Sequence, residues 1–188
     1  MAGVTPSTAS VHLKRLENER LVKVSAQGKH RYYSLGGPDV ANALEALSVL
    51  AGSRERFTPN TPHHLRFARS CYDHLAGTLG VLLHDRLIAM RWLSEDDSEY
   101  QLTTKGEEQL TQLGIDVEEM RRLRRRFAFG CLDWSERRPH LGGAVGAALL
   151  QAALKRKWVQ PDLDSRALRL TAAGKREMTA RFGLRVDA

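Results

Sequence analysis

The sequence predicts an α+β fold, mainly helical, built in two parts. Three observations predict it. The opening pairs a capped helix with two β-rich runs around a glycine turn. A stretch with two prolines and no periodicity, SRERFTPNTPHH, then interrupts the pattern. Beyond it, AMRWLSEDDSEYQLTTKGEEQLTQLGI echoes LKRKWVQPDLDSRALRLTAAGKREMTARFGL, each running from a basic helix end through Trp-aliphatic, a polar turn, a short strand and Leu-Thr-x-x-Gly to another helix. The expected division is 1–52 for the opening unit, 53–63 for a linker and 64–188 for a helix-rich domain. That domain would hold two short repeats, each with a β-hairpin, over about 65–115 and 139–184.

Element by element, Thr5 suits an N-cap and Pro6 the first helical position, which places a helix start here. The pattern carries it to about Glu19, with Ala9, Leu13 and Leu16 as its buried stripe. Ser7, Thr8, Val11, Lys14 and Arg15 then point outward, with Ser10 and His12 on the flanks. LVKV and HRYYSL flank SAQGK as the arms of a hairpin, with Gly28 in the turn and Tyr33 and Leu35 on the inner face. VANALEALSVLAG reads as an amphipathic helix ended by Gly52. In the remainder, long helices are expected over about Leu65–Met90 and Pro139–Lys157, with Thr103 and Thr171 capping the last helix of each repeat. FAFGCLDW reads as a short strand or buried turn.

At 188 residues the chain allows one large domain or two small ones, and 42% apolar residues suffice for a core without staples. A net charge of +7 favours a polyanionic partner. Two cysteines sixty residues apart make no disulfide framework, so a reducing cytoplasm is the expected compartment. The opening lacks an apolar signal region, and the longest apolar run, VLLHDRLIAM, is short and broken by charge; no membrane partner is expected.

GVTPSTASVHLKRLENERLVKV followed by QGKHRYYSL resembles the ArsR family of transcriptional regulators over about the first fifty residues. Thr5, Thr8, Ala9, Ser10, His12, Leu13, Leu16, Leu21, Val22, Gly28, Lys29, Tyr33 and Leu35 occupy that family's pattern. The resemblance implies a winged helix-turn-helix that binds double-stranded DNA as a homodimer, most simply as a repressor occluding a promoter. Small hydroxyls at a helix N-terminus suit base edges and phosphates, so Thr5, Ser7, Thr8 and Ser10 are candidate DNA contacts, as are Val11, which suits a thymine methyl, and His12 on the flank. Lys14, Arg15, Lys29 and Arg31 suit phosphates, and Gln27 at the hairpin tip an adjacent minor groove. Val40, Leu44, Leu47 and Leu50 would serve pairing of two chains, or ordinary packing within one. The family also places helices ahead of the turn that this sequence does not show, so the opening unit is expected to be N-terminally incomplete. The Cys-x-Cys-x-x-Cys metal motif of the family is missing as well.

Cys71 and His74 are expected on one helix face at i, i+3, beside Asp73, and Cys131 and Asp133 recur in CLDWSERRPH. Such groups are plausible transition-metal ligands; two thiols could instead form a redox switch, or both cysteines could be small buried hydrophobes. CLDWSERRPHLGGAVGAALL loosely resembles a module fused to some ArsR-like regulators. Arg137, Arg138 and His140 near a helix start would make an anion pocket, while Gly142, Gly143 and Gly146 suit close helix packing. MRRLRRRF is a solvated face or a source of extra phosphate contacts. No catalytic motif with supporting context occurs, so no cofactor and no enzyme are expected. The reading is a DNA-binding regulator whose C-terminal domain responds to a small-molecule effector or to thiol oxidation. The alternatives are a small-molecule, metal or redox sensor whose truncated winged helix no longer binds DNA, and an enzyme using Cys71.

Overall fold

The computed structural model describes residues 4–27, 30–37, 39–41, 43–44, 47, 62–96, 99–163 and 165–186. The chain divides into two compact units, Met1–Ala51 and Gly52–Ala188.

In the first unit α1 spans Pro6–Asn18, and Thr5 caps it by accepting from the Thr8 N–H. The strands β1 (Val22–Gln27) and β2 (His30–Leu35) pair antiparallel, with Val22 opposite Leu35 and Val24 opposite Tyr33. These three elements lie where capping and alternation predict them. Burial differs from expectation. No residue of α1 is buried; Ala9 and Leu13 are half-covered, Leu16 is exposed, and Tyr33 on the supposed inner face is exposed too. A helix and one hairpin offer too little apolar surface to cover a stripe of this width. Residues 39–41, 43–44 and 47 are helical, whereas Leu50 and Gly52, the far end of the expected helix, lie outside the described residues.

The second unit repeats one run of elements twice. Its first half is α2 (His63–Phe67), β3 (Arg69–Cys71), β4 (His74–Ala76), α3 (Thr78–Ala89), β5 (Leu93–Asp96), β6 (Glu99–Leu102) and α4 (Thr104–Gln112). Its second half is α5 (Val117–Arg122), β7 (Phe129–Leu132), β8 (Pro139–Gly142), α6 (Gly143–Lys155), β9 (Val159–Pro161), β10 (Leu168–Leu170) and α7 (Ala172–Phe182). The local chemistry repeats with it. Thr103 and Thr171 each cap the closing helix by accepting from the glycine N–H three residues on. Trp92 and Trp158 are both buried just before a second hairpin.

The halves interlock. The first hairpin of the second half joins the second hairpin of the first, giving the antiparallel order β5-β6-β7-β8. Reciprocally, β3–β4 meets β9–β10 through an antiparallel bridge between Arg69 and Ala167. The helices cross over as well, with α3 packed on β8 and α6 on β4. A shared apolar core, including Leu79, Leu87, Trp92, Leu110, Val145, Val159, Met178 and Phe182, fills the space between the layers.

Two expected helices are therefore shorter than their apolar pattern. The Leu65–Met90 run is broken by the β3–β4 hairpin and the Pro139–Lys157 run begins as strand β8. The glycines are the cause. Gly77 (φ 80°) and Gly143 (φ 84°) take a backbone conformation that side chains disfavour, and an added Cβ at Gly77 would lie 2.4 Å from the Arg66 carbonyl oxygen. Each lets a strand turn at once into a helix. One turn on, Gly80 and Gly146 sit against the carbonyl oxygens of Leu75 and Leu141, where a Cβ would come within 2.5 and 2.2 Å.

Candidate functional site

On the first unit, the face of α1 singled out above is open to solvent. Ser7, Thr8, Ser10, Val11, His12, Lys14 and Arg15 are all exposed, as are Thr5 ahead of the helix and Arg31 on β2. Thr5 Oγ1 lies 2.9 Å from both the Ser7 and Thr8 hydroxyl oxygens, a small hydroxyl cluster at a helix N-terminus. Ser10 Oγ donates to the Pro6 carbonyl, which leaves its lone pairs for outside donors. Lys14, exposed, pairs with the half-exposed Glu17 at 3.0 Å, a surface contact weak enough to exchange for phosphate. Lys29 and Gly28 lie outside the described residues, as does the side chain of Gln27.

On the second unit, the two first hairpins bring together what the sequence scatters. Cys71 is the register partner of His74 across β3–β4, and Cys131 that of His140 across β7–β8. Cys71 and His74 thus share a two-residue turn, not a helix face. One ligand-type atom from each of Cys71, His74, Cys131 and His140 lies within 4.8 Å of every other. Cys71 is half-buried and the other three are buried; neither cysteine is in a disulfide. A hydrogen bond from Cys131, opposed by burial and reinforced by His140 and His74, holds the Cys71 thiol strongly below its ordinary pKa.

Each histidine is backed by a carboxylate. His74 Nδ1 lies 3.2 Å from Asp73 Oδ1, and His140 Nδ1 lies 3.2 Å from Asp133 Oδ2, the latter off the line of a good hydrogen bond. Each carboxylate is in turn held by an arginine. Arg125 Nη1 donates to Asp73 at 2.6 Å, and Arg69 Nη2 to Asp133 at 2.8 Å. Burial pushes the Asp73 carboxyl up, but the His74 and Arg125 contacts outweigh it and hold it at about 2. Asp133 is fully buried; desolvation is outweighed by His140, Arg69 and the Gly77 N–H, so its carboxyl stays well below the usual range.

Asp133 differs from its expected role. Its oxygens accept from Arg69, the Gly77 N–H, the Ser135 N–H and hydroxyl and the Glu136 N–H, so it organises backbone and does not enter the thiol–imidazole cluster. His140 enters the cluster instead. It is fully buried, which removes it from the anion pocket expected with Arg137 and Arg138; both arginines are exposed, and Arg138 pairs with Asp85. The signal that marks His140 is the match of Cys-x-Asp-His-Leu-x-Gly at 71–77 to Cys-x-Asp at 131–133 and His-Leu-x-Gly at 140–143, the second copy carrying six extra residues. Residues 121–126 are all exposed, and three of the five arginines pair with Glu107, Asp73 and Glu99.

A separate cleft of about 570 Å³ lies along α2, β9 and β10, lined by His63, His64, Phe67, Leu163, Leu168 and Leu170 among others. Among the described residues, no helix is long and apolar enough to cross a membrane.

An exposed basic helix beside a hairpin is thus carried on the same chain as a unit with a buried thiol–imidazole cluster. No protein-family model matches the chain, and no solved structure matches it. It is 40% identical over 178 residues to the uncharacterized HTH-type transcriptional regulator YdfF of Bacillus subtilis (strain 168), an alignment covering 93% of this chain and 79% of the relative. The chain belongs to this family of helix-turn-helix transcriptional regulators, which makes it a DNA-binding regulator and not an enzyme.

Proposed function

We propose that the chain is a cytoplasmic, ArsR-like repressor that binds an operator as a dimer through a winged helix. In this reading α1 is the recognition helix, lying in the major groove with its hydroxyl-rich N-terminus toward the bases and Lys14 and Arg15 toward phosphates. The β1–β2 hairpin is the wing, with Gln27 toward an adjacent minor groove and Lys29 and Arg31 toward the flanking phosphates. The observation that carries it is that α1 buries none of its residues while presenting Thr5, Ser7, Thr8, Ser10, Val11 and His12 on a solvent face that continues into two cations. Leu44 and Leu47, 47% and 60% exposed, are where a second copy would pack. The second unit then biases the dimer between DNA-competent and incompetent spacings, with the cleft along α2, β9 and β10 as the place for a small-molecule effector.

The test is binding to the DNA upstream of the protein's own gene, followed by fluorescence anisotropy across a salt series. The slope of log affinity against log salt should fall by about one for Lys14→Ala and again for Arg15→Ala. Ser7→Ala should instead lower affinity for the operator relative to unrelated DNA. Binding that ignores all three substitutions refutes the assignment of α1. Leu44→Asp with Leu47→Asp should yield a monomer in sedimentation and abolish tight operator binding.

A further inference from the structure

We propose that Cys71, His74, Cys131 and His140 bind a single zinc-class dication, which ties the first hairpins of the two halves of the second unit together. The donor set is the first support. Two thiols and two imidazoles are the ligands that a d¹⁰ dication of tetrahedral preference takes in closed, structural sites. Their spacing fits. Bond lengths of about 2.0–2.1 Å to nitrogen and about 2.3 Å to sulfur put tetrahedral ligands about 3.3 Å apart for two nitrogens and about 3.8 Å for two sulfurs. His74 Nε2 and His140 Nε2 are 3.2 Å apart, and no two of the four ligand atoms are separated by more than 4.8 Å.

The surroundings give a second, independent support. His74 Nδ1 is within hydrogen-bond reach of Asp73, and Asp133 lies 3.2 Å from His140 Nδ1 off the line of a hydrogen bond, so both carboxylates favour a ring proton on Nδ1 and leave Nε2 for the cluster. The two Nε2 atoms stand 3.2 Å apart, close enough to share a proton between them or to take one cation. Carboxylate-backed histidines are how metal sites fix the tautomer and raise ligand basicity. Charge closes as well. Two thiolates balance one dication, the partly exposed Arg125 balances Asp73 and the buried Arg69 balances Asp133, so the assembly is neutral as a whole. Any proton still held by a cysteine leaves to solvent on binding, with no change of oxidation state on either sulfur. Cys71, half-buried beside Asp73 and Arg125, marks the side from which the ion enters. The topology explains why such an ion would matter. Each half contributes one thiol and one imidazole from register-paired positions, so neither half can complete a four-coordinate site alone.

The proposal does not depend on operator binding and is tested without DNA. The full chain is purified under reducing conditions, stripped with a chelator and titrated with cobalt(II) as the optical probe, then with zinc(II) in competition. The expected result is one equivalent per chain, with the visible absorption of tetrahedral cobalt and a thiolate-to-cobalt charge-transfer band that zinc abolishes. Zinc at a hundredfold excess over its Kd should raise the thermal midpoint of the second unit by roughly 5 °C or more. Cys131→Ser should lose the charge-transfer band or halve it, with at least a tenfold weaker Kd. His140→Cys, which keeps four ligands, should retain one equivalent and raise the charge-transfer intensity by about half. Less than a tenth of an equivalent in the reduced, folded wild type overturns the proposal. So does a cobalt spectrum without thiolate charge transfer, or a spectrum unchanged in His140→Cys. Isolation of the native protein with Cys71 and Cys131 joined as a disulfide that blocks cobalt would also overturn it, in favour of a redox pair.

Discussion

Replacing Arg69 by methionine tests the centre of the second unit most directly. Its side chain is fully buried and donates to Asp133 at 2.8 Å, to the Ser135 hydroxyl at 3.0 Å and to the Leu65 carbonyl at 3.1 Å, while its guanidinium carbon sits 4.2 Å above the Trp134 ring. Methionine fills much of the volume but removes the guanidinium that faces a carboxylate that is itself fully buried. Breaking a buried pair from one side costs about 3–5 kcal/mol, because the remaining charge is left uncompensated. At about 2–4 °C per kcal/mol for a unit of this size, the midpoint should fall by roughly 6–20 °C. Arg69→Lys keeps the charge without the fork and should fall between the two. The assay is urea and thermal unfolding followed by tryptophan fluorescence, which reports this unit alone since Trp92, Trp134 and Trp158 all lie in it. It is run with chelator throughout, so that metal binding does not contribute. A loss below about 1 kcal/mol for Arg69→Met would refute the reasoning, since no buried and otherwise well-held ion pair tolerates that change so cheaply.

Other outcomes follow from single contacts. Gly146→Ala, which would gain about 1 kcal/mol in an open helix, should instead destabilise by about 1–3 kcal/mol in urea, because its Cβ would lie 2.2 Å from the Leu141 carbonyl oxygen; a stabilised variant would contradict that approach. Burial lowers the His84 pKa below its ordinary 6.5, so the unfolded chain takes up the proton first and stability drops as pH falls below about 6.5, until folded His84 itself protonates. His84→Gln, which can keep a bond to the Tyr100 hydroxyl at 2.9 Å in the native protein, should flatten the urea midpoint between pH about 7.5 and about 5.5; an unchanged pH slope would show that His84 does not contribute it. Thr5→Ala removes the cap of α1 and should cost about 1 kcal/mol, seen by circular dichroism as a lower thermal midpoint of the first unit without change in the tryptophan-reported one.

The first unit was legible because its signals are local. Thr5-Pro6 fixes a helix start and the alternation around Gly28 fixes a hairpin, whatever the rest of the chain does. The extent of burial on α1 was not legible, since a stripe of Ala9, Leu13 and Leu16 states what could be covered and not what covers it. In the second unit the tryptophan-led hairpins and their threonine caps stood out, as polar turns between apolar runs. The cysteine-bearing hairpins did not, apart from FAFGCLDW, which reads as a short strand or buried turn and holds β7. Their strands are three or four residues long and run straight into apolar helices, so the periodicity of RFARSCYDHLAGTLGVLL favours one long helix. What separates strand from helix there is Gly77, whose left-handed backbone is a steric fact that periodicity does not record. The cluster was half legible for the same reason. Cys71, His74 and Cys131 carry ligand chemistry wherever they sit, whereas His140 is six residues out of step with His74 and joins them only through the crossed pairing of the hairpins.

That crossing ties the evolutionary fate of the two halves together. Gly80 of the first half lies where a Cβ would come within 3.5 Å of the His140 side chain, and Gly146 of the second half where one would come within 3.2 Å of the His74 side chain. Each half therefore keeps a glycine that makes room for the other half's histidine. An exchange of one half for that of a distant relative would carry its own histidine into a groove shaped by another lineage's glycine. Drift in either half is thus checked by its twin, and the two copies must diverge as a matched pair.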